Sequence, residues 1–186
     1  MAYLRRFNYD YEEGVLLVSA NAAARMAMSK ILVISPEKCL GCRSCELICS
    51  LNKIGEFNPG ESAIDVLFCE QTAISVPVMC LQCENAACMK VCPVGAMTRN
   101  DDGSVAPDPQ KCIVCKMCAS ACPMGNISVS SVKKKILKCD LCGGDPGCAK
   151  VCPSGAIQYV DVSEANIVKK KAVAEKFKDL FTEVEN

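Results

Sequence analysis

Residues Cys112–Pro123 read Cys-Ile-Val-Cys-Lys-Met-Cys-Ala-Ser-Ala-Cys-Pro. Two, two and three residues separate the four cysteines, and a proline follows the last. Three thiolates this close in one tight loop can reach three corners of a single [4Fe–4S] cube. The fourth sits on the helical turn that follows, where the chain has already left that cube, and it ligates the other cube of a pair. One such run therefore implies a partner run.

Three more runs are present. Cys39, Cys42, Cys45 and Cys49 repeat the two-two-three spacing. Cys80, Cys83, Cys88 and Cys92 have two, four and three intervening residues. Cys139, Cys142, Cys148 and Cys152 have two, five and three. The runs account for 16 of the 17 cysteines and leave only Cys69. The exits Cys92-Pro-Val-Gly-Ala, Cys122-Pro-Met-Gly-Asn and Cys152-Pro-Ser-Gly-Ala also repeat, their closing cysteines 30 residues apart. This is an internal repeat, to be read before any local element.

So much cysteine admits three chemistries. A secreted disulfide scaffold fits poorly, because closely spaced cysteines cannot easily bridge one another. Structural zinc takes four tetrahedral ligands, usually two Cys-x2-Cys pairs or a mixture with His. The chain has no His, and the third cysteine of each run is surplus to a zinc pair. Iron–sulfur cubes use every residue of the pattern. Up to four are expected, with one site open to zinc or to no cofactor. The irregular fourth run, with Gly143-Gly144-Asp145-Pro146-Gly147 before Cys148, is the first suspect. Cubes of this kind need a reducing compartment, hence a cytoplasmic expectation.

The 186 residues include no Trp, and Lys+Arg equals Asp+Glu at 21 each. Charge therefore argues for neither nucleic acid nor a membrane surface. No run of 18 apolar residues occurs, so no transmembrane span is expected. A conventional aromatic core is not expected either. The cofactors and their thiolates should take over much of its work, so the apo chain should fold poorly.

In chain order, residues 1–30 read as an N-terminal arm, one that packs on a partner subunit or else a loose extension. Arg5-Arg6-Phe7 and Ala22-Ala23-Ala24 only faintly resemble an export signal, since Asp10, Glu12 and Glu13 interrupt the stretch. Ile31–Ile34 is a strand. Ser50 replaces the proline after Cys49, and Leu51–Pro59 reads as a short helical piece and a turn. Ala63–Phe68 and Ala73–Val78 pair around Glu70-Gln71, with Cys69 as a small buried hydrophobe. Asn100-Asp101-Asp102-Gly103 turns a hairpin between Met97–Arg99 and Ser104–Ala106. Asn126–Ser130 and Lys135–Leu137 form another. Its Lys133-Lys134-Lys135 is a solvated turn or a basic rim that steers an anionic redox partner. Ile157–Val162 is a strand. Residues 163–186 form a helix capped by Ser163, with Val173, Phe177, Leu180 and Val184 as its apolar stripe. The fold class is α+β: two ferredoxin-like [4Fe–4S] modules with short helices and β-hairpins, an arm and a C-terminal helix. The double iron–sulfur domain spans 31–162.

From about Ser35 to Val160 the chain resembles the four-cluster iron–sulfur subunits of the dimethyl sulfoxide reductase and formate dehydrogenase type. Its compact size, and runs such as Lys138-Cys139-Asp140-Leu141-Cys142, look closest to short members. These serve tungsten aldehyde oxidoreductases, the related class II benzoyl-CoA reductase, and formate- or CO-linked hydrogenases. The resemblance implies that the outer runs 39–49 and 139–152 pair, as do the inner runs 80–92 and 112–122. Cys39, Cys42 and Cys45 then share a cube with Cys152, and Cys139, Cys142 and Cys148 share one with Cys49. Cys80, Cys83 and Cys88 take Cys122, and Cys112, Cys115 and Cys118 take Cys92. The missing proline after Cys49 and the long gap before Cys148 depart from the family pattern.

The chain shows no acid–base pair, no free nucleophile and no Gly-rich nucleotide fingerprint. It is expected to be non-catalytic on its own. It would relay single electrons between a large catalytic metallo-subunit, with tungsten or molybdenum pterin, and a second redox partner. A hydrogenase subunit, a free polyferredoxin and a redox-silent zinc scaffold are the alternatives. Lys38, Lys111 and Lys138 each precede the first cysteine of a run. A positive charge there would favour a reduced cube, unless the side chain is simply exposed.

Overall fold

A computed structural model describes residues 30–167 and Lys170. The N-terminal arm, apart from Lys30, and the stripe of Val173, Phe177, Leu180 and Val184 lie outside these residues. The described strands form four antiparallel two-stranded pairs. β1 (Lys30–Ile34) pairs with β8 (Ile157–Asp161), joining the two ends of the cysteine-bearing stretch with Ile34 opposite Ile157. The Ser35 N–H extends the pairing by donating to Ala156 O at 2.8 Å. β2 (Ile64–Cys69) pairs with β3 (Ile74–Met79), and β4 (Met97–Arg99) with β5 (Val105–Pro107). β6 (Ser128–Val129) pairs with β7 (Ile136–Leu137).

One helix carries the third cysteine of each run, and in three of the four proline sets its length. α2 (Ala87–Lys90), α3 (Met117–Ser120) and α4 (Gly147–Lys150) are single turns. Each stops just ahead of Cys-Pro, because proline lacks an N–H and biases the residue before it away from helical geometry. Ser50 imposes no such stop. α1 (Ser44–Ile54) therefore runs on past Cys49 to Gly55, which ends it at φ 84°. The helical piece expected to start at Leu51 is thus the last turn of a longer helix that contains Cys45 and Cys49.

The interior has two apolar clusters. One gathers Cys45, Cys49, Ile64, Met79, Leu141 and Ile157 with neighbouring residues, and the other Ala86, Cys88, Met97, Val105, Cys118, Ile127 and Ile136. No aromatic ring is among the buried core residues described, and thiols occupy positions that Phe or Leu would fill elsewhere. Glu61 ties the β6–β7 turn to the rest. Its Oε1 accepts from Ser131 N at 2.9 Å, Ser131 Oγ at 2.6 Å and Val132 N at 3.3 Å.

Some local expectations need correction. Cys69 is exposed, because it ends β2 beside an open turn. The β2–β3 strands sit one residue later than the hydrophobic pattern suggested, and β6 and β7 are shorter. The C-terminal helix begins at 162, directly after β8, so Ser163 lies inside it rather than capping it. Among the described residues no helix is long and apolar enough to cross a membrane.

Candidate metal centres

No disulfide joins any of the 17 cysteines. Three cavities are each lined by three cysteines of one run and one from another. Cys80, Cys83 and Cys88 line the first with Cys122. Cys112, Cys115 and Cys118 line the second with Cys92. Cys39, Cys42 and Cys45 line the third with Cys152. The remaining cysteines also converge. Cys49, Cys139 and Cys148 share one core, and Asn52 Nδ2 on α1 donates to Cys142 Sγ at 3.9 Å. Among the described residues no three His, Cys, Asp or Glu converge tightly enough to hold one metal ion. In the three cavities the thiols ring a volume, as a cube requires.

The loops take their shape from left-handed backbone. The residue just before the second cysteine has positive φ in every run: Gly41 at 65°, Gln82 at 50°, Val114 at 54° and Leu141 at 57°. Arg43 and Lys116, after the second cysteines of two runs, do the same at 56° and 67°. A β-branched residue such as Val114 is strained there, by about 1–3 kcal/mol. Left-handed residues at these positions turn the chain tightly around the second cysteine. Only Gly41 announces this geometry in the sequence; Gln82, Val114 and Leu141 do not.

The exits serve the fourth cysteines. Gly95, Gly125 and Gly155 donate N–H to the carbonyls of Cys92, Cys122 and Cys152 at 3.3, 3.2 and 3.3 Å, forming one turn three times. Each glycine has φ near 60–65°. In the first of these turns, Ala96 N–H then reaches Cys92 Sγ at 3.2 Å. Partial burial disfavours the thiolates of Cys92 and Cys152, but backbone N–H bonds outweigh it and hold both below the usual thiol value. Cys49 lacks this turn. The N–H of Ala63, 14 residues on, donates to its Sγ at 3.4 Å instead.

The third cysteine of every run is buried, and burial raises its pKa. Cys45 is pushed up to about 11 by desolvation and then by the Glu46 carboxylate. Cys148 is pushed up to about 12 by desolvation and by Cys139, Cys49 and Cys142. Cys139 is raised to about 11, again chiefly by burial. Such thiols give up their protons only when a cation shares the site, so the donor set suits a metal cluster that binds thiolate. The second cysteines Cys42, Cys83 and Cys115 are exposed.

The three lysines before first cysteines differ. Lys38 is exposed, and exposed Lys111 pairs with Asp108 at 3.5 Å. Lys138 is buried at 3 % exposure and lines the Cys80–Cys122 cavity. Of the basic turn, Lys133 and Lys134 are exposed, whereas Lys135 Nζ donates to Lys53 O at 2.7 Å.

Residues 71–162 match the 4Fe-4S dicluster domain family and residues 36–52 a 4Fe-4S binding domain. The polyferredoxin-like subunit of aliphatic sulfonate oxidoreductase from Pyrococcus furiosus is 40% identical over 65% of this chain and 70% of its own length. A subunit of the anaerobic dimethyl sulfoxide reductase from Escherichia coli is 34% identical over 70% of this chain and 73% of its own length. A polypeptide in the active site complex BamBC of benzoyl coenzyme A reductase, as isolated, aligns at 24% identity and a TM-score of 0.43. The alignment spans 84% of this chain and 97% of that one. The chain belongs to the [4Fe–4S] dicluster ferredoxin family that includes these iron–sulfur subunits. It is a protein of multiple [4Fe–4S] clusters.

Proposed function

We propose that this chain is the electron-transfer subunit of an anaerobic oxidoreductase complex and that its sixteen clustered cysteines hold four [4Fe–4S] clusters. The ligand sets proposed are Cys39, Cys42, Cys45 with Cys152; Cys139, Cys142, Cys148 with Cys49; Cys80, Cys83, Cys88 with Cys122; and Cys112, Cys115, Cys118 with Cys92. The observation that carries this reading is the repeated lining of one cavity by three thiols of one run and one thiol of another. When bound, such clusters accept and release single electrons. The chain's own residues supply thiolates, backbone N–H donors to sulfur such as those of Ala96 and Ala63, and burial, which set the potential of each site.

The proposed partners are a large catalytic subunit, with tungsten or molybdenum pterin, and a second redox protein, all in the cytoplasm. This draws on the resemblance to the short iron–sulfur subunits and on the oxidoreductase subunits among the relatives. Exposed Lys133 and Lys134 suit an acidic partner surface. The test is anaerobic purification of the tagged chain from its own host, with metal analysis of what accompanies it. Co-purification with a tungsten- or molybdenum-containing subunit is expected. Recovery as a monomer carrying all the reducing equivalents would make it a free polyferredoxin, and a large partner without a pterin would favour the hydrogenase alternative.

A further inference from the structure

Lys138 puts a basic side chain into the interior with no carboxylate paired to it among the described residues. It is 3 % exposed, and none of the ion pairs among the described residues includes it. Its Nζ donates to Val105 O, to Cys139 O at 3.1 Å and to Gln82 Oε1 at 3.3 Å. Three acceptors match the three N–H bonds that a lysine ammonium carries. Gln82 completes the node. Its Nε2 donates to Cys139 O at 2.7 Å, and its Oε1 also accepts from Val105 N at 2.9 Å. Gln82 lies between Cys80 and Cys83, while Lys138 is bonded in chain to Cys139. The node thus joins a loop of the inner runs to a loop of the outer runs.

A buried charge without a counter-charge costs several kcal/mol unless something nearby compensates it. Three neutral acceptors solvate the ammonium but carry no net charge. The cavity it lines is ringed by Cys80, Cys83, Cys88 and Cys122. As thiolates around a cluster, these are the negative charge that Lys138 otherwise lacks.

We infer that Lys138 is a potential-setting residue: its ammonium, fixed at the junction of the inner and outer runs, favours the reduced state of the centre held by Cys80, Cys83, Cys88 and Cys122. This rests on the ligand sets proposed above. Reduction adds a negative charge, and a buried ammonium beside the thiolates makes that addition less costly. Lys138 lines the cavity of the inner set itself and meets the neighbouring set through the main-chain carbonyl of Cys139, so the inner centre feels the charge more strongly. Lys38 and Lys111, being exposed, are screened by water and have no comparable effect.

The test is an anaerobic redox titration of the holoprotein followed by EPR, with iron and sulfide measured on the same samples. Lys138→Met keeps the length of the side chain and removes the charge; Lys138→Arg keeps the charge. In Lys138→Met one centre should become harder to reduce, its reduced-to-oxidised ratio at fixed potential falling about tenfold, or about 59 mV for one electron. The other centres should move much less, and Lys138→Arg should stay near the wild type. Unshifted potentials in Lys138→Met with a full complement of iron would overturn the role of Lys138 alone. So would an equal shift of all centres. Loss of iron from both Lys138→Met and Lys138→Gln, with Lys138→Arg intact, would make the residue a structural tie and also overturn it. A wild type without iron and sulfide would overturn the ligand sets themselves.

Discussion

The backbone N–H of Ala63 donates to Cys49 Sγ at 3.4 Å, which makes a segment beyond α1 the donor to a thiol whose own exit turn is missing. Elsewhere the Cys-Pro-x-Gly turn is built in place. Here α1 carries straight through Cys49, and the chain returns by a turn fixed through Ser50. The Ser50 side chain is fully buried, donates to Leu47 O at 2.8 Å and accepts from Asn58 N at 3.0 Å. Restoring the repeat by Ser50→Pro should therefore harm the protein. Proline in a helix interior costs about 3 kcal/mol, and the tie to Asn58 goes with it. The expected result is selective loss of the centre that includes Cys49, about a quarter of the iron, by metal analysis of anaerobic protein.

Gly147 opens α4 against α1. A Cβ there would lie 3.0 Å from Asn52 Nδ2 and 3.0 Å from Ile48 Cγ1. Asn52 is also the donor to Cys142 Sγ. Gly147→Ala should destabilise the protein by about 1–3 kcal/mol through overpacking. Chelator challenge should then release iron faster than from the wild type.

Raised thiol pKa values make the apo fold sensitive to alkali. Cys45 and Cys139 stand at about 11 and Cys148 at about 12, above the ordinary thiol value of 9.0. Above pH 9 the unfolded chain loses these protons first, while the folded apo chain still holds them. Their contribution to stability is complete below that pH and is lost as pH rises through about 11 to 12. Reduced apoprotein, which folds poorly at any pH, should lose its remaining secondary structure between about pH 8.5 and about 11, read by circular dichroism. The cluster-loaded form should lose less, because its ligands are already thiolates.

Much of this was legible because iron–sulfur ligation is a pattern of spacing. The four runs, their exits, the hairpin at Asn100–Gly103 and the lack of an aromatic core could all be read from residue types. The left-handed backbone at Gln82, Val114 and Leu141 could not, because nothing in those side chains favours it. The loop imposes it, and the surrounding contacts sustain it. The burial of Lys138 was equally hidden. It shares its sequence context with exposed Lys38 and Lys111, and only the meeting of Gln82, Val105 and Cys139 distinguishes it. Cys69 went the other way: an apolar strand suggested burial, but its place at the open end of β2 exposes it.

Glu61 holds the basic turn through one carboxylate oxygen, bonded to Ser131 and Val132. Hydrogen bonds from Ser130 and Ser131 keep this carboxyl below its usual pKa. Glu61→Ala should speed amide exchange at Ser131 and Val132 at least tenfold while leaving the iron content unchanged. Exchange rates measured by mass spectrometry would show it.

The most direct test is the count of iron, zinc and acid-labile sulfide per chain on protein purified without oxygen. Four [4Fe–4S] centres predict about 16 iron and about 16 sulfide, with no zinc. Protein with zinc and no sulfide, or with its cysteines joined as disulfides, would contradict the account.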